Sequence, residues 1–161
     1  MTINDIVIVA NLGEMKVYKA NSRDLEAEAG LKPNNVKLDL VNNFDYLDSH
    51  LKIGDVVTDS AGQFKGGGSQ NRGGVFVGGS TSLGEANNLE IHREEEAIEM
   101  LAKNISEAIG EYNPPKWYMA LPQSIYGRVF DKIPASAKEK LEKSVKKDLV
   151  KINKSELIEH F

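Results

Sequence analysis

Apolar and polar residues follow two different periods along this chain, and a stretch that follows neither lies between them. Ile6-Val7-Ile8-Val9-Ala10 is a short apolar run rich in β-branched residues. Positions 15–18 then alternate, with Met15 and Val17 on one face and Lys16 and Tyr18 on the other. Asn11-Leu12-Gly13-Glu14 between them is a turn signal, so residues 6–10 and 15–20 are expected to form a hairpin. Val36-Lys37-Leu38-Asp39-Leu40-Val41-Asn42 alternates with period two and predicts a third strand after the Pro33-Asn34-Asn35 turn. Residues 43–58 are ambiguous, with Ile53-Gly54-Asp55-Val56-Val57 readable as a short edge strand.

The period changes in the second half. Ile91, Ala97, Ile98, Leu101, Ala102, Ile105, Ala108 and Ile109 fall on one 3.6-residue stripe, which predicts a long helix ended by Gly110 and Pro114-Pro115. Its glutamates gather in the first half, where they would complement the positive end of the helix dipole. Trp117-Tyr118-Met119-Ala120-Leu121 is apolar throughout, as a strand buried on both faces should be. Short helices are expected over residues 123–131 and 136–143, a last strand over 145–149, and a terminal helix over 154–160. The terminal helix opens on Asn153, with Glu156 three residues on. The order β-β-β-(loop)-α-β-α-α-β-α predicts an α/β (α+β) fold. The first three strands favour an antiparallel meander, and the helix-connected strands favour parallel pairing, giving a mixed sheet flanked by helices.

Nine of the fourteen glycines lie between Gly62 and Gly84. Residues 60–88 are therefore expected to form a long glycine-rich loop within a single domain spanning 1–161. Loops of that length inside a domain are usually functional or disordered. The stretch has no Gly-Lys-Ser/Thr ending and no strand–GxGxxG–helix context, so it is neither an ATPase phosphate loop nor a dinucleotide site. Its chemistry lies in amides: Gln63, Gln70, Asn71 and many unencumbered backbone N–H groups, which can orient water or hold an oxyanion without titrating. The bland reading of the same residues is a flexible surface insertion.

Charge is unevenly distributed. The net charge is −4, which argues against wholesale nucleic-acid binding. Yet residues 85–111 hold eight acids against Arg93 and Lys103, and residues 132–154 hold eight lysines against Glu139, Glu142 and Asp148. A solvated helix face accounts for most lysine runs of this kind. There is no cysteine, which removes disulfides and thiolate metal sites. With no basic leader and no apolar run near the roughly twenty residues that span a bilayer, a soluble cytoplasmic protein without membrane contact is expected.

Other candidate chemistry is thinner. His92 has Glu95 and Glu96 three and four residues on, hence on the same helical face. His92 and Glu96 could bind a metal or act as a general base, but two ligands are too few to define a metal site. The competing reading is a first-turn His paired with glutamate. Asp45, Asp48, Asp55 and Asp59 are spaced as turn formers and solvating charges. Trp117 and Tyr118, ahead of Pro122 and Arg128, would suit base stacking if exposed and core packing if buried. No cofactor motif is present.

Several of these segments together resemble the bacterial host-attachment proteins, named for members described as required for attachment to host cells. The matching pieces are Val7-Ile8-Val9-Ala10-Asn11; Val57-Thr58-Asp59-Ser60-Ala61-Gly62-Gln63-Phe64; His92-Arg93-Glu94-Glu95; Met119-Ala120-Leu121-Pro122 with Tyr126-Gly127-Arg128; and Lys147-Asp148-Leu149 before Ser155-Glu156-Leu157. The resemblance implies kinship with the middle domain of archaeo-eukaryotic class-1 release factors, a ribonuclease-H-like mixed sheet. That domain carries a Gly-Gly-Gln loop between strand and long helix, where the glutamine positions water to hydrolyse the peptidyl-tRNA ester. Here Ala61-Gly62-Gln63 matches two of the three positions, and Gly67-Gly68-Ser69-Gln70 carries an inserted serine.

The resemblance implies a ribosome- or tRNA-associated protein. Gly62, Gln63 and Gln70 would be its catalytic residues, and the charge polarity adds Arg72, Arg128, Lys143, Lys146 and Lys147 as candidate RNA-binding residues. Two alternatives stand beside it. One is a non-catalytic module for a protein or RNA partner, linked to attachment indirectly. The other is a metal-dependent hydrolase at His92 and Glu96.

Overall fold

The computed structural model describes residues 1–31, 34–46 and 81–161. Five strands, β1 (Ile6–Ala10), β2 (Glu14–Ser22), β3 (Val36–Asp45), β4 (Trp117–Ala120) and β5 (Leu141–Val145), form one sheet in the order β3-β2-β1-β4-β5. The pairs β1–β2 and β2–β3 are antiparallel, while β1–β4 and β4–β5 are parallel. This is the mixed sheet expected from the sequence. The helices are α1 (Leu25–Glu28), α2 (Thr81–Tyr112), α3 (Gln123–Lys132), α4 (Ala135–Glu139) and α5 (Lys154–Glu159).

β1 lies at the centre because every one of its residues is apolar and both of its faces are covered. Ile6, Ile8 and Ala10 enter one core with Met15, Val17, Trp117 and Met119, beneath the Ile98–Leu101–Ile105–Ile109 stripe of α2 and Ile125 and Val129 of α3. Val7 and Val9 enter the opposite core with Tyr18, Leu38, Tyr118, Leu149, Val150 and Leu157 of α5. A strand alternates its side chains between two faces, so an unbroken apolar run demands cover on both. Before β1, Asp5 is fully buried. Its Oδ2 accepts from the Thr2 amide at 2.6 Å and from the Thr2 hydroxyl at 3.1 Å, pinning the turn in which Asn4 takes a φ of 72°.

Several elements differ from expectation. The last strand is Leu141–Val145 rather than 145–149, and the preceding helix ends at Glu139. Strand pairing decides this. The Trp117 amide donates to the Lys140 carbonyl and the Leu121 amide to the Val145 carbonyl, which satisfies the outer edge of β4. The helical propensity of Lys140-Leu141-Glu142-Lys143 yields to that pairing. Leu149 and Val150 are buried all the same, from the turn that follows. β3 continues to Asp45, three residues past the alternating pattern.

α2 starts at Thr81, so residues 81–88 of the expected loop belong to a helix. One glycine inside a helix costs only about 1 kcal/mol against alanine, and Glu85, Ala86, Leu89 and Glu90 favour the helix. The glutamates consequently lie beyond the first turn, which holds no acid, and the dipole acts only within about one turn. Two of them pair across helices instead: Glu94 with Arg128 and Glu99 with Lys132. Ile91 sits on the α2 stripe but is exposed, because the described core begins at Ile98. The segment at 53–57 and the glycine-rich residues 62–79 lie outside the described residues.

The topology gathers several chain ends at one place. β1, β3, β4 and β5 all run in the same direction, so the carboxyl ends of all four lie on one edge of the sheet. The Tyr46 amide, just past β3, donates to the Gly13 carbonyl at 2.8 Å on that edge.

Candidate functional site

The carboxyl edge holds a cavity of about 310 Å³ lined by Asn11, Leu12, Gly13, Pro122, Ser124, Ile125 and Asp148. In open sheets with parallel strands, crevices at this edge are the usual ligand position. Each wall follows from local sequence. Asn11 ends β1, and its Oδ1 accepts from the Gly13 amide at 2.8 Å and the Glu14 amide at 2.9 Å, the side-chain turn that asparagine favours. Pro122 ends β4 and precedes α3; its carbonyl accepts from the Ile125 and Tyr126 amides, and no side chain caps the helix. Asp148 follows β5. Its Oδ2 accepts from Asn11 Nδ2 at 3.0 Å and its Oδ1 from the Val150 amide at 3.1 Å. Lys16 braces the same corner, donating to the Val150 carbonyl at 3.0 Å while pairing with Glu14.

Beside the cavity, the Tyr126 and Phe130 rings of α3 stack with centroids 5.6 Å apart and planes 9° from parallel. Lys146 Nζ lies 4.9 Å from the centre of the Tyr126 ring, and Lys138 Nζ lies 4.7 Å from that of Phe130. Each pairing of an ammonium with a ring face is worth about 0.5–1 kcal/mol at an exposed site. The Tyr126 hydroxyl also shares a hydrogen bond with Ser144 Oγ at 2.8 Å, which ties α3 to β5. The column fixes two ammonium groups along the β5 side of the molecule.

A family model described as "Protein required for attachment to host cells" matches residues 6–161, from β1 through α5. The chain belongs to this family. No curated protein matches it. Three of the sequence pieces that carry the family resemblance contribute a cavity wall: Asn11 from the first, Pro122 from the fourth and Asp148 from the fifth.

Among the family-derived candidates, Gly62, Gln63, Gln70 and Arg72 lie outside the described residues. Arg128 is bound to Glu94 at 2.5 Å, so its charge is partly compensated. Lys143, Lys146 and Lys147 are exposed, and none of the three forms an ion pair among the described residues. Trp117 and Tyr118 are buried, and Trp117 Nε1 donates to the Ala137 carbonyl at 2.6 Å. These two aromatics pack the core and offer no face for a base.

His92 is not a first-turn residue, since α2 begins eleven positions earlier. Its Nδ1 lies 4.0 Å from Glu95 Oε2, both side chains being well exposed. No cluster of three His, Cys, Asp or Glu side chains exists among the described residues. No helix among them is long and apolar enough to cross a membrane.

Burial shapes two tyrosines. Desolvation, reinforced by the negative charges of Asp5 and Glu142, pushes the Tyr118 phenol up to about 12. Burial also raises Tyr46, against a hydrogen bond in which Asn104 Nδ2 donates to its hydroxyl at 2.7 Å. The cavity itself was missed by reading the sequence as motifs. Asn11, Ser124 and Asp148 are 24 or more positions apart in the chain, and only the strand order unites them.

Proposed function

We propose that this host-attachment family member associates with the RNA of translation. Its lysine-bearing β5 side follows tRNA or ribosomal phosphates, and its Gly-Gln segment presents Gln63 or Gln70 to a peptidyl-tRNA ester. The observation that supports this best is the set of cations on β5 and the following turn, with Lys143 on the Tyr118 face of the strand and Lys146 on the Tyr126 face. Lys143 and Lys147 are exposed and lack ion-pair partners among the described residues, and Lys146 is held over the Tyr126 ring. Cations already fixed in place lose less side-chain freedom when a phosphate arrives. Arg72 and Arg128 are further candidate phosphate contacts.

The chemistry is an ester hydrolysis. Water attacks the carbonyl carbon joining the peptide to the tRNA ribose, and the ester C–O bond breaks. The peptide leaves as its acid, and the ribose oxygen takes up a proton. The glutamine amide and glycine N–H groups would orient the water and stabilise the oxyanion, neither of which requires a titrating group.

Two measurements test the reading. Release of a short peptide from peptidyl-tRNA, with and without ribosomes, should fall in Gln63→Ala or Gln70→Ala; full activity in both variants, or none in the parent, removes the catalytic step. Binding of tRNA should weaken steeply with salt, and each of Lys143→Ala, Lys146→Ala and Lys147→Ala should lower the log–log slope by about 0.7–0.9. Absence of salt-dependent binding by the folded protein would instead favour a module for a protein partner.

A further inference from the structure

We infer that the carboxyl-edge cavity binds a ribonucleotide, with the ribose diol on Asp148 and the phosphate towards Lys146. This needs neither the Gly-Gln segment nor an RNA chain. Four observations lead to it. The cavity is a largely open groove of about 310 Å³, at the lower end of the roughly 300–1,000 Å³ range of small-molecule sites. Its lining mixes apolar residues, Leu12, Pro122 and the nearly buried Ile125, with polar ones, Asn11, Ser124 and Asp148. A nucleotide likewise combines apolar base faces with a polar sugar phosphate.

The third observation is the state of Asp148. A carboxylate has about four acceptor positions. Asn11 Nδ2 and the Val150 amide occupy one on each oxygen, which fixes the orientation of the group. One position on each oxygen remains, and the residue is exposed. Two oxygens held in a fixed plane suit two adjacent hydroxyl donors, the pairing by which an acidic side chain recognises ribose in dinucleotide sites. Lastly, Lys146 lies only two residues before Asp148, and its ammonium is held over Tyr126, the residue after the cavity-lining Ile125. A cation beside a diol-binding carboxylate selects a sugar phosphate over an amine, which would be repelled there.

The test is titration of the full chain with AMP, 2′-deoxy-AMP, adenosine and inorganic phosphate. It is followed by calorimetry and by the amide resonances of Gly13 and Ser124. AMP should bind and shift both resonances, and 2′-deoxy-AMP should bind about tenfold more weakly, as expected for a lost hydrogen bond to a charged acceptor. Asp148→Asn should weaken AMP by a similar factor and erase the difference between the two nucleotides. Lys146→Ala should weaken AMP and leave adenosine unchanged. Ser124→Trp, which fills the cavity from the start of α3, should abolish binding; it keeps the proposal testable if Asp148→Asn fails to fold. Equal affinity for AMP and its deoxy form, binding of phosphate alone as tight as AMP, shifts confined to residues away from the cavity, or no binding at millimolar AMP would each overturn the inference. Nucleotide binding without tRNA binding would leave this site standing and remove the translation reading. The reverse result would remove this site alone.

Discussion

Asn11 Nδ2 donates to Asp148 Oδ2 at 3.0 Å across 137 positions of sequence, joining the end of β1 to the turn after β5. The same Asn11 side chain accepts from the Gly13 and Glu14 amides, so one residue closes the hairpin and anchors the C-terminal turn. Asn11→Ala should therefore lower the unfolding free energy by about 1–3 kcal/mol, read as a shift in the urea midpoint with unchanged slope. Asn11→Asp keeps the turn acceptor but sets a carboxylate against Asp148. It should be less stable than the parent at pH 7 and recover as the pH falls through the carboxylate range.

Trp117 donates its indole N–H to the Ala137 carbonyl inside the core. Trp117→Phe removes that donor while the Lys140 amide still bonds the Ala137 carbonyl, and should cost about 0.5–1.5 kcal/mol. Trp117→Ala adds a cavity and should cost about 3–5 kcal/mol. Thermal melts of both variants check the ranking. A loss near zero for Trp117→Phe would show that the hydrogen bond adds little.

Two ion pairs lace α2 to α3, Glu94 with Arg128 and Glu99 with Lys132. All four side chains are substantially exposed, so solvent screens them strongly. A double-mutant cycle on Glu94 and Arg128 should give a coupling of about 0.2–1 kcal/mol in dilute buffer. In 1 M salt, where screening acts over about 3 Å, the coupling should shrink towards zero.

Tyr118 makes stability fall in strong base. Its folded pKa is raised to about 12 from the ordinary tyrosine value of about 10, so the unfolded chain loses its proton first as pH rises. The contribution is fully present below pH 10 and is lost between about 10 and 12. The total is on the order of 2–3 kcal/mol. Tyr118→Phe should flatten that part of the stability–pH curve, measured by urea denaturation between pH 8 and 12.

The architecture was legible wherever hydrophobic period and strand burial agreed. The unbroken run at β1 and the apolar Trp117–Ala120 strand announced a doubly covered centre, and the Ile98–Ile109 stripe announced the helix above it. Legibility failed where pairing outweighs local preference. Leu141 and Glu142 look helical in isolation and form a strand because β4 has an edge to satisfy. The start of α2 was hidden by Gly84, a residue read as loop but tolerated inside a helix. The cavity was invisible for a further reason. Asn11, Pro122 and Asp148 each read as ordinary turn formers, and their meeting depends on three strands ending at one edge.

Among the described residues β5 is also the outermost strand of the sheet on its side, and a strand edge without a partner invites another chain to add to it. Glu142 and Lys143 stand exposed on that strand, and a charge there penalises the approach of a second sheet. Lys143 thus has a protective part to play whatever it binds. Neutralising it to test phosphate contacts also removes a guard against self-association, so sedimentation of the variant belongs beside any measurement of its affinity.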